Sequence, residues 1–112
     1  MDCIFCKIAS GQIPSARIYE DELCFAFHDI NPQAPVHALI IPKEHIPSTD
    51  GVTAENSKYV AHIFEMIPRI AEELGLDKGY RVITNCGDDG CQSVKHLHFH
   101  VLGGKKLSEN MA

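Results

Sequence analysis

The 112-residue chain has no apolar run approaching the roughly 20 residues that span a bilayer, so no membrane partner is expected. It has no basic segment followed by an apolar stretch at Met1-Asp2-Cys3-Ile4-Phe5-Cys6. No secretion signal is read there, and a cytoplasmic location is expected. Basic residues are in deficit: 10 Lys plus Arg stand against 15 Asp plus Glu, a formal net charge of −5. A general nucleic-acid binder needs a basic footprint that this chain does not carry. A single phosphate stays within reach, because backbone N–H groups, serines and histidines can hold one. Repeats, low-complexity tracts and linkers are absent as well. Length and composition allow one ordinary globular domain, residues 1–112, with a modest core.

Five cysteines are present, an odd number: Cys3, Cys6, Cys24, Cys86 and Cys91. Without a secretion signal, disulfides are not expected. Cys3 and Cys6 form a C-x-x-C pair, which has the spacing of half a zinc site and is a weak signal alone. Unligated thiols or a redox pair would use the same spacing. Cys24 and Cys86 read as inert packing or loop residues.

The pattern along the chain predicts short strands over Arg17–Tyr19 and Leu23–His28, with Glu20-Asp21-Glu22 as their turn. Asn31-Pro32-Gln33-Ala34-Pro35 is a loop, since its prolines lack a ladder donor. Val36–Ile41 reads as a buried strand stopped by Pro42. Residues 53–74 hold the one convincing helix, with Val60, Ile63, Phe64, Ile67, Ile70, Ala71 and Leu74 as its apolar stripe. Gly75 ends it, and Pro68 predicts a kink or broken turn. Tyr80–Thr84 reads as a strand and Cys86–Gly90 as a loop. Residues 105–112 are a polar tail. The fold class expected is α+β: a mainly antiparallel sheet of about five strands, with the helix across one face.

The most informative segment is His96-Leu97-His98-Phe99-His100. As a strand it alternates, which puts three imidazoles on one face and Leu97, Phe99 and Val101 on a core face. The histidine face should then meet solvent or a cleft. Histidine serves as nucleophile, acid, base or metal ligand. A structural module binding metal through all three histidines remains a reading of this run. His28 and His62 read as a strand-end and a helix-surface residue without a role.

The segment His96–Leu102 resembles the signature of the histidine-triad nucleotide-binding superfamily. Asp29–His37, Ile41-Pro42-Lys43-Glu44-His45, Gln92-Ser93-Val94 and Gly103-Gly104 extend the resemblance to its Hint branch. The resemblance implies an α+β homodimer that hydrolyses purine nucleoside 5′-phosphoramidates through a nucleotidyl-histidine. It implies His98 as nucleophile, with His37 and His100 supporting it at the phosphate. Asp29 matches the ribose-binding carboxylate, and Asn85, Ser93 and Val94 match the phosphate-side wall. Phe5, Phe27, Ile30 and Leu39 match the apolar slot for the base, although such residues are as readily core. Ser93 is also the candidate proton donor to the leaving amine, since it closely precedes His98. Bacterial-type relatives hold a structural zinc ion with residues matching Cys3, Cys6, His45 and His96, and no organic cofactor is implied. A dinucleoside polyphosphate hydrolase and a nucleotide-binding adaptor with incidental catalysis are the alternatives. Two departures stand out. Cys91 occupies a usual glycine position, and the tail Lys105–Ala112 lacks the Trp/Pro ending of many Hint relatives.

Overall fold

The computed structural model describes residues 3–111. Met1 and Asp2, and Ala112 at the end of the expected tail, lie outside the described residues. Short alternating segments and turn residues build the sheet. Strands β1 (Arg17–Glu20) and β2 (Cys24–His28) form a hairpin. Asp21 sets its turn, its Oδ1 accepting from the Leu23 and Cys24 amides at 2.8 and 2.9 Å. Strand β3 (Val36–Pro42) ends on the expected proline, followed in sequence by β4 (Tyr80–Ile83) and β5 (Phe99–Gly103). The five strands lie in the order β1-β2-β3-β5-β4, each neighbouring pair antiparallel.

Helix α1 (Ile4–Ala9) is an element the sequence reading missed. The Cys3 thiol caps it by accepting from the Cys6 amide at 3.4 Å. Phe5, Ile8 and Ala9 then fall on one buried face at helical spacing. Six residues are too few for a periodic signal, so packing rather than propensity holds this helix.

Helix α2 (Ser57–Glu73) is the expected long helix. It starts at 57 rather than 53, and the residues ahead of it are tied into a turn: Thr53 N donates to Asn56 Oδ1 at 2.7 Å, and Asn56 N to Thr53 Oγ1 at 3.3 Å. The helix runs unbroken through Pro68. Ile63, Ile67, Ile70 and Ala71 are buried as the stripe predicts, and Met66 joins them. Phe64 departs from the stripe: it is half exposed, with its ring edge-on to Phe99 at 5.3 Å.

Because both faces of β2 and β3 are covered, two cores form. Ala26, Ala38, Ile40 and Val101 meet α2 in one core. Phe25, Phe27, Leu39 and Ile41 meet Phe5, Ile8 and Ala9 of α1 in the other. Among the described residues, no helix is long and apolar enough to cross a membrane.

The histidine segment departs from the expected strand. β5 begins only at Phe99, so His96 and His98 precede the ladder. Their backbone is satisfied elsewhere: Leu97 N donates to Ile46 O at 2.6 Å, and Thr84 Oγ1 donates to His98 O at 2.8 Å. The side chains still alternate, with Leu97, Phe99 and Val101 in the α2-side core. Of the histidine face, His100 is half-buried, whereas His96 and His98 do not open to solvent. His96 is 0% and His98 3% exposed. The Phe5 ring stands edge-on over His98, centroids 5.1 Å apart, which closes the space a bare strand would leave open.

Candidate active site

The β3–β5 register sets Leu39 opposite His100 and His37 opposite Leu102. His37 and His100 are therefore diagonal neighbours on the α1 face of the sheet. His37 Nε2 lies 2.8 Å from His100 Nδ1, and the His98 and His100 rings are 5.1 Å apart.

The hydrogen bonds assign the tautomers. The Gln33 amide donates to His37 Nδ1 at 2.9 Å, so neutral His37 carries its proton on Nε2. That proton is donated to His100 Nδ1, which leaves His100 with an N–H at Nε2. His98 Nδ1 donates to the His96 carbonyl at 2.6 Å, so Nε2 is the ring nitrogen not engaged by that bond. Burial pushes His37 below the ordinary imidazole range, against the opposing pull of Asp29. Burial, reinforced by the neighbouring His98 and His37, pushes His100 down to about 4. Both rings are neutral at pH 7, as these tautomers require.

Asp29 follows the end of β2 and receives the Asn31 amide on Oδ1 at 2.8 Å. Its Oδ2 lies 3.4 Å from His37 Nε2. Ile30 beside it is 99% exposed, a free apolar surface next to a carboxylate. Phe5, Phe27 and Leu39 are core residues of the α1-side cluster, and the half-buried Val94 packs against that cluster. Phe5, Phe27 and Leu39 are thus packed in the core, which is compatible with their also walling an apolar slot.

Asn85 is half-buried and Ser93 exposed. Among the described residues neither side chain hydrogen-bonds a histidine, so Ser93 is not joined to His98 by direct contact. The segment between them is fixed by Gln92, to which the sequence reading gave no role. Gln92 is buried, and its Nε2 donates to Pro47 O at 2.7 Å and Val94 O at 2.9 Å. Its Oε1 accepts from Gly87 N at 3.1 Å. A buried amide with both ends bonded is what a fixed loop requires. Its place beside Ser93 was the only sequence signal.

A second cluster lies next to the first. Ligand atoms of Cys3, Cys6, His45 and His96 all fall within 4.8 Å of one another. Cys3 Sγ and Cys6 Sγ lie 3.3 and 3.5 Å from His96 Nδ1, and the His45 and His96 Nδ1 atoms are 3.2 Å apart. Tetrahedral zinc with Cys and His ligands has ligand edges of about 3.4–3.8 Å, close to these separations. His96 Nε2 donates to Pro42 O at 2.9 Å, which aims the Nδ1 lone pair at the thiols. Burial pushes His96 down to about 4, which keeps that lone pair available. His98 is not in this set, contrary to a module ligating through all three histidines.

His62 is not the idle surface residue expected. Its Nε2 meets Asp21 Oδ2 at 2.5 Å and ties α2 to the β1–β2 turn. His28 is an exposed strand end, as expected. Cys24 is buried, and burial together with Asp21 pushes its thiol up to about 12, in keeping with inert packing.

Fold and cluster together define a small α+β domain organised around buried, neutral imidazoles. The family model described as HIT domain matches residues 10–107, and the chain belongs to that family. An uncharacterized HIT-like protein of Synechococcus elongatus is 47% identical over 107 residues, covering 96% of this chain and 94% of its own. A histidine triad protein from Clostridium difficile is 53% identical with a TM-score of 0.94, covering 98% of this chain and 96% of that one. A HIT family hydrolase from Legionella pneumophila is 43% identical with a TM-score of 0.93, covering 96% and 97%.

Proposed function

We propose that the chain is a Hint-type hydrolase of purine nucleoside 5′-phosphoramidates, acting through a nucleotidyl-His98 intermediate in a reducing, cytoplasmic setting. The observation that carries this reading is the His98 Nδ1 bond to the His96 carbonyl, which occupies Nδ1 and makes Nε2 the ring nitrogen available as the attacking atom. His98 Nε2 attacks the α-phosphorus, the P–N bond breaks, and the amine leaves as it gains a proton. Water then attacks the phosphorus, the bond to Nε2 breaks, and the nucleoside monophosphate is released. The His100 Nε2–H, held by the Gln33–His37 relay, donates to a phosphoryl oxygen as charge develops there. Asp29 receives the ribose hydroxyls and disfavours phosphate at the same place, which gives the substrate its direction. Ile30 offers the base an exposed apolar contact. Asn85, Ser93 and Val94 form the phosphate-side wall, and Ser93 passes the proton to the amine.

Cys3, Cys6, His45 and His96 fit zinc, and two thiolates with two imidazoles make a closed set suited to structure. Bound there, the ion cross-links the capped end of α1 to the segments carrying His45 and His96. A homodimer is also part of this reading. β4 is an edge strand of the sheet, and the exposed Tyr80 and Phe64 supply apolar surface on β4 and α2.

Rapid-quench intact-mass measurement during turnover of an adenosine phosphoramidate tests the mechanism. Wild type should carry one transient adenylyl group and His98→Ala none. Faster cleavage of a diadenosine polyphosphate would replace this reading with the polyphosphate hydrolase. A His98→Ala protein that keeps nucleotide affinity and full function in the cell would replace it with the adaptor.

A further inference from the structure

The ladder between β4 and β5 ends at the pair Ile83 and His100. Asn85 and His98 each lie two residues beyond that pair, on the two chain segments that leave it. Both belong to the proposed site, and neither is held by a strand. A side chain ties the two segments together there. Thr84 Oγ1 donates to the His98 carbonyl at 2.8 Å. His98 is 3% exposed, and the carbonyl of a buried residue beyond the end of a ladder needs such a donor. Thr84 is half-buried, and its branched side chain has few χ1 choices, so the hydroxyl is held where the carbonyl meets it. His98 is then fixed at two points. Its ring is tied through Nδ1 to the His96 carbonyl at 2.6 Å, and its main chain through its own carbonyl to Thr84. Nε2 lies at the end of the ring away from the main chain, so a small turn of the His98 backbone is enlarged there.

We propose that Thr84 is a positioning residue of this site: its hydroxyl fixes the main chain of His98 and, through it, the ring that attacks the phosphorus. The catalytic part of this inference rests on the function proposed above, whereas the fixing of the His98 ring does not. The hydroxyl touches no substrate and transfers no proton. It acts through the His98 carbonyl alone. Because Asn85 follows Thr84 directly, the same bond sets how far the phosphate-side wall stands from His98. The groups assigned to the nucleoside, Asp29 and Ile30, lie on another segment, after β2. Loosening His98 should therefore spoil the alignment of attack and leave substrate binding in place, a loss carried by kcat.

Thr84→Val keeps the shape of the side chain and removes the hydroxyl, whereas Thr84→Ser keeps the hydroxyl and removes the methyl. Turnover of an adenosine phosphoramidate is measured on zinc-loaded protein, well below the melting temperature of each variant. In Thr84→Val kcat should fall about 10-fold with KM near the wild-type value, short of the roughly 100-fold that a full ångström of misplacement costs. Rapid-quench formation of the adenylyl adduct should slow by the same factor. Thr84→Ser should recover most of both. A Thr84→Val protein with wild-type kcat overturns the proposal, and so does a loss confined to KM. A Thr84→Ser no faster than Thr84→Val also overturns it, because a packing role would follow the methyl and not the hydroxyl. If Thr84→Val does not fold, Thr84→Ala against Thr84→Ser makes the same comparison, since these two differ only in the hydroxyl. Proton NMR reads the ring without turnover. The His98 Nδ1–H should exchange slowly in wild type and Thr84→Ser and faster in Thr84→Val. Equal exchange in all three overturns the fixing of the ring. A wild type without turnover defeats the hydrolase reading, and the exchange rates then decide the role of Thr84 by themselves.

Discussion

His37 Nε2 and His100 Nδ1 lie 2.8 Å apart, and the direction of the bond between them is set by the main chain of Gln33. Because the Gln33 amide occupies His37 Nδ1, the proton between the rings belongs to His37 and the outward proton to His100. Gln33→Pro removes the donor to His37 Nδ1 that sets this order. Turnover of an adenosine phosphoramidate should fall in kcat more than it changes KM, because the lost donor acts on transition-state charge. A KM effect alone would place the Gln33 bond outside catalysis.

Stability should depend on the same buried rings. His100 is pushed from 6.5 down to about 4, so the unfolded chain binds the proton first as pH falls. Folding stability is therefore full above about pH 7 and declines from about 6.5 towards 4. Chemical denaturation across this range should show a shallower acid decline for His100→Ala than for wild type. Equal slopes would mean that His100 takes up its proton in the folded state without penalty.

The metal cluster predicts about one zinc per chain in purified protein, by elemental analysis. A double Cys3→Ser, Cys6→Ser variant should lose the metal and melt at lower temperature. Full zinc content in that variant would place the ion elsewhere.

Gln92→Ala removes three hydrogen bonds and leaves the Pro47 and Val94 carbonyls without their donor. Unfolding free energy should fall by about 1–3 kcal/mol. Because the same side chain holds the segment before Ser93, turnover should fall beyond the effect of a comparably destabilising change in the α2-side core, such as Ile70→Val.

The Asp21–His62 contact predicts a variant that separates stability from activity. Burial raises the Asp21 carboxyl, but hydrogen bonds from His62, the Leu23 and Cys24 amides and Tyr19 outweigh it and hold it well below the usual range. That contribution is present at neutral pH and is lost as acid protonates Asp21. His62→Ala should cost on the order of 1 kcal/mol at pH 7, the scale of a partly exposed ionic hydrogen bond. Its kcat/KM should stay at the wild-type value.

The sheet was legible because β2 and β3 are short apolar runs bounded by turn residues and Leu97/Phe99/Val101 carry a period-2 signal, and α2 because Ile63, Ile67 and Ile70 carry a helical one. Helix α1 was not, since six residues hold too little periodicity and its cap is a cysteine sulfur. The end of the ladder at Phe99 was hidden for a different reason. The partners that satisfy residues 97 and 98 are Ile46 and Thr84, distant in sequence. The histidines were legible as a set, but their burial depended on Phe5, a residue of the unrecognised helix. Gln92 and His62 show the same limit. Their partners, Pro47 and Asp21, lie 45 and 41 residues away, and nothing local marks such a bond.

His96 faces the thiols with its ring and holds His98 with its carbonyl. One residue thus spans the proposed metal anchor and the proposed nucleophile, with no intervening side chain to absorb movement. Slack at the anchor reaches the His98 ring through one peptide carbonyl and one hydrogen bond. Preparations that differ in metal content should therefore differ in catalytic quality per folded molecule, and a scatter of specific activities between batches would be a reading of how tightly that end of the chain is moored.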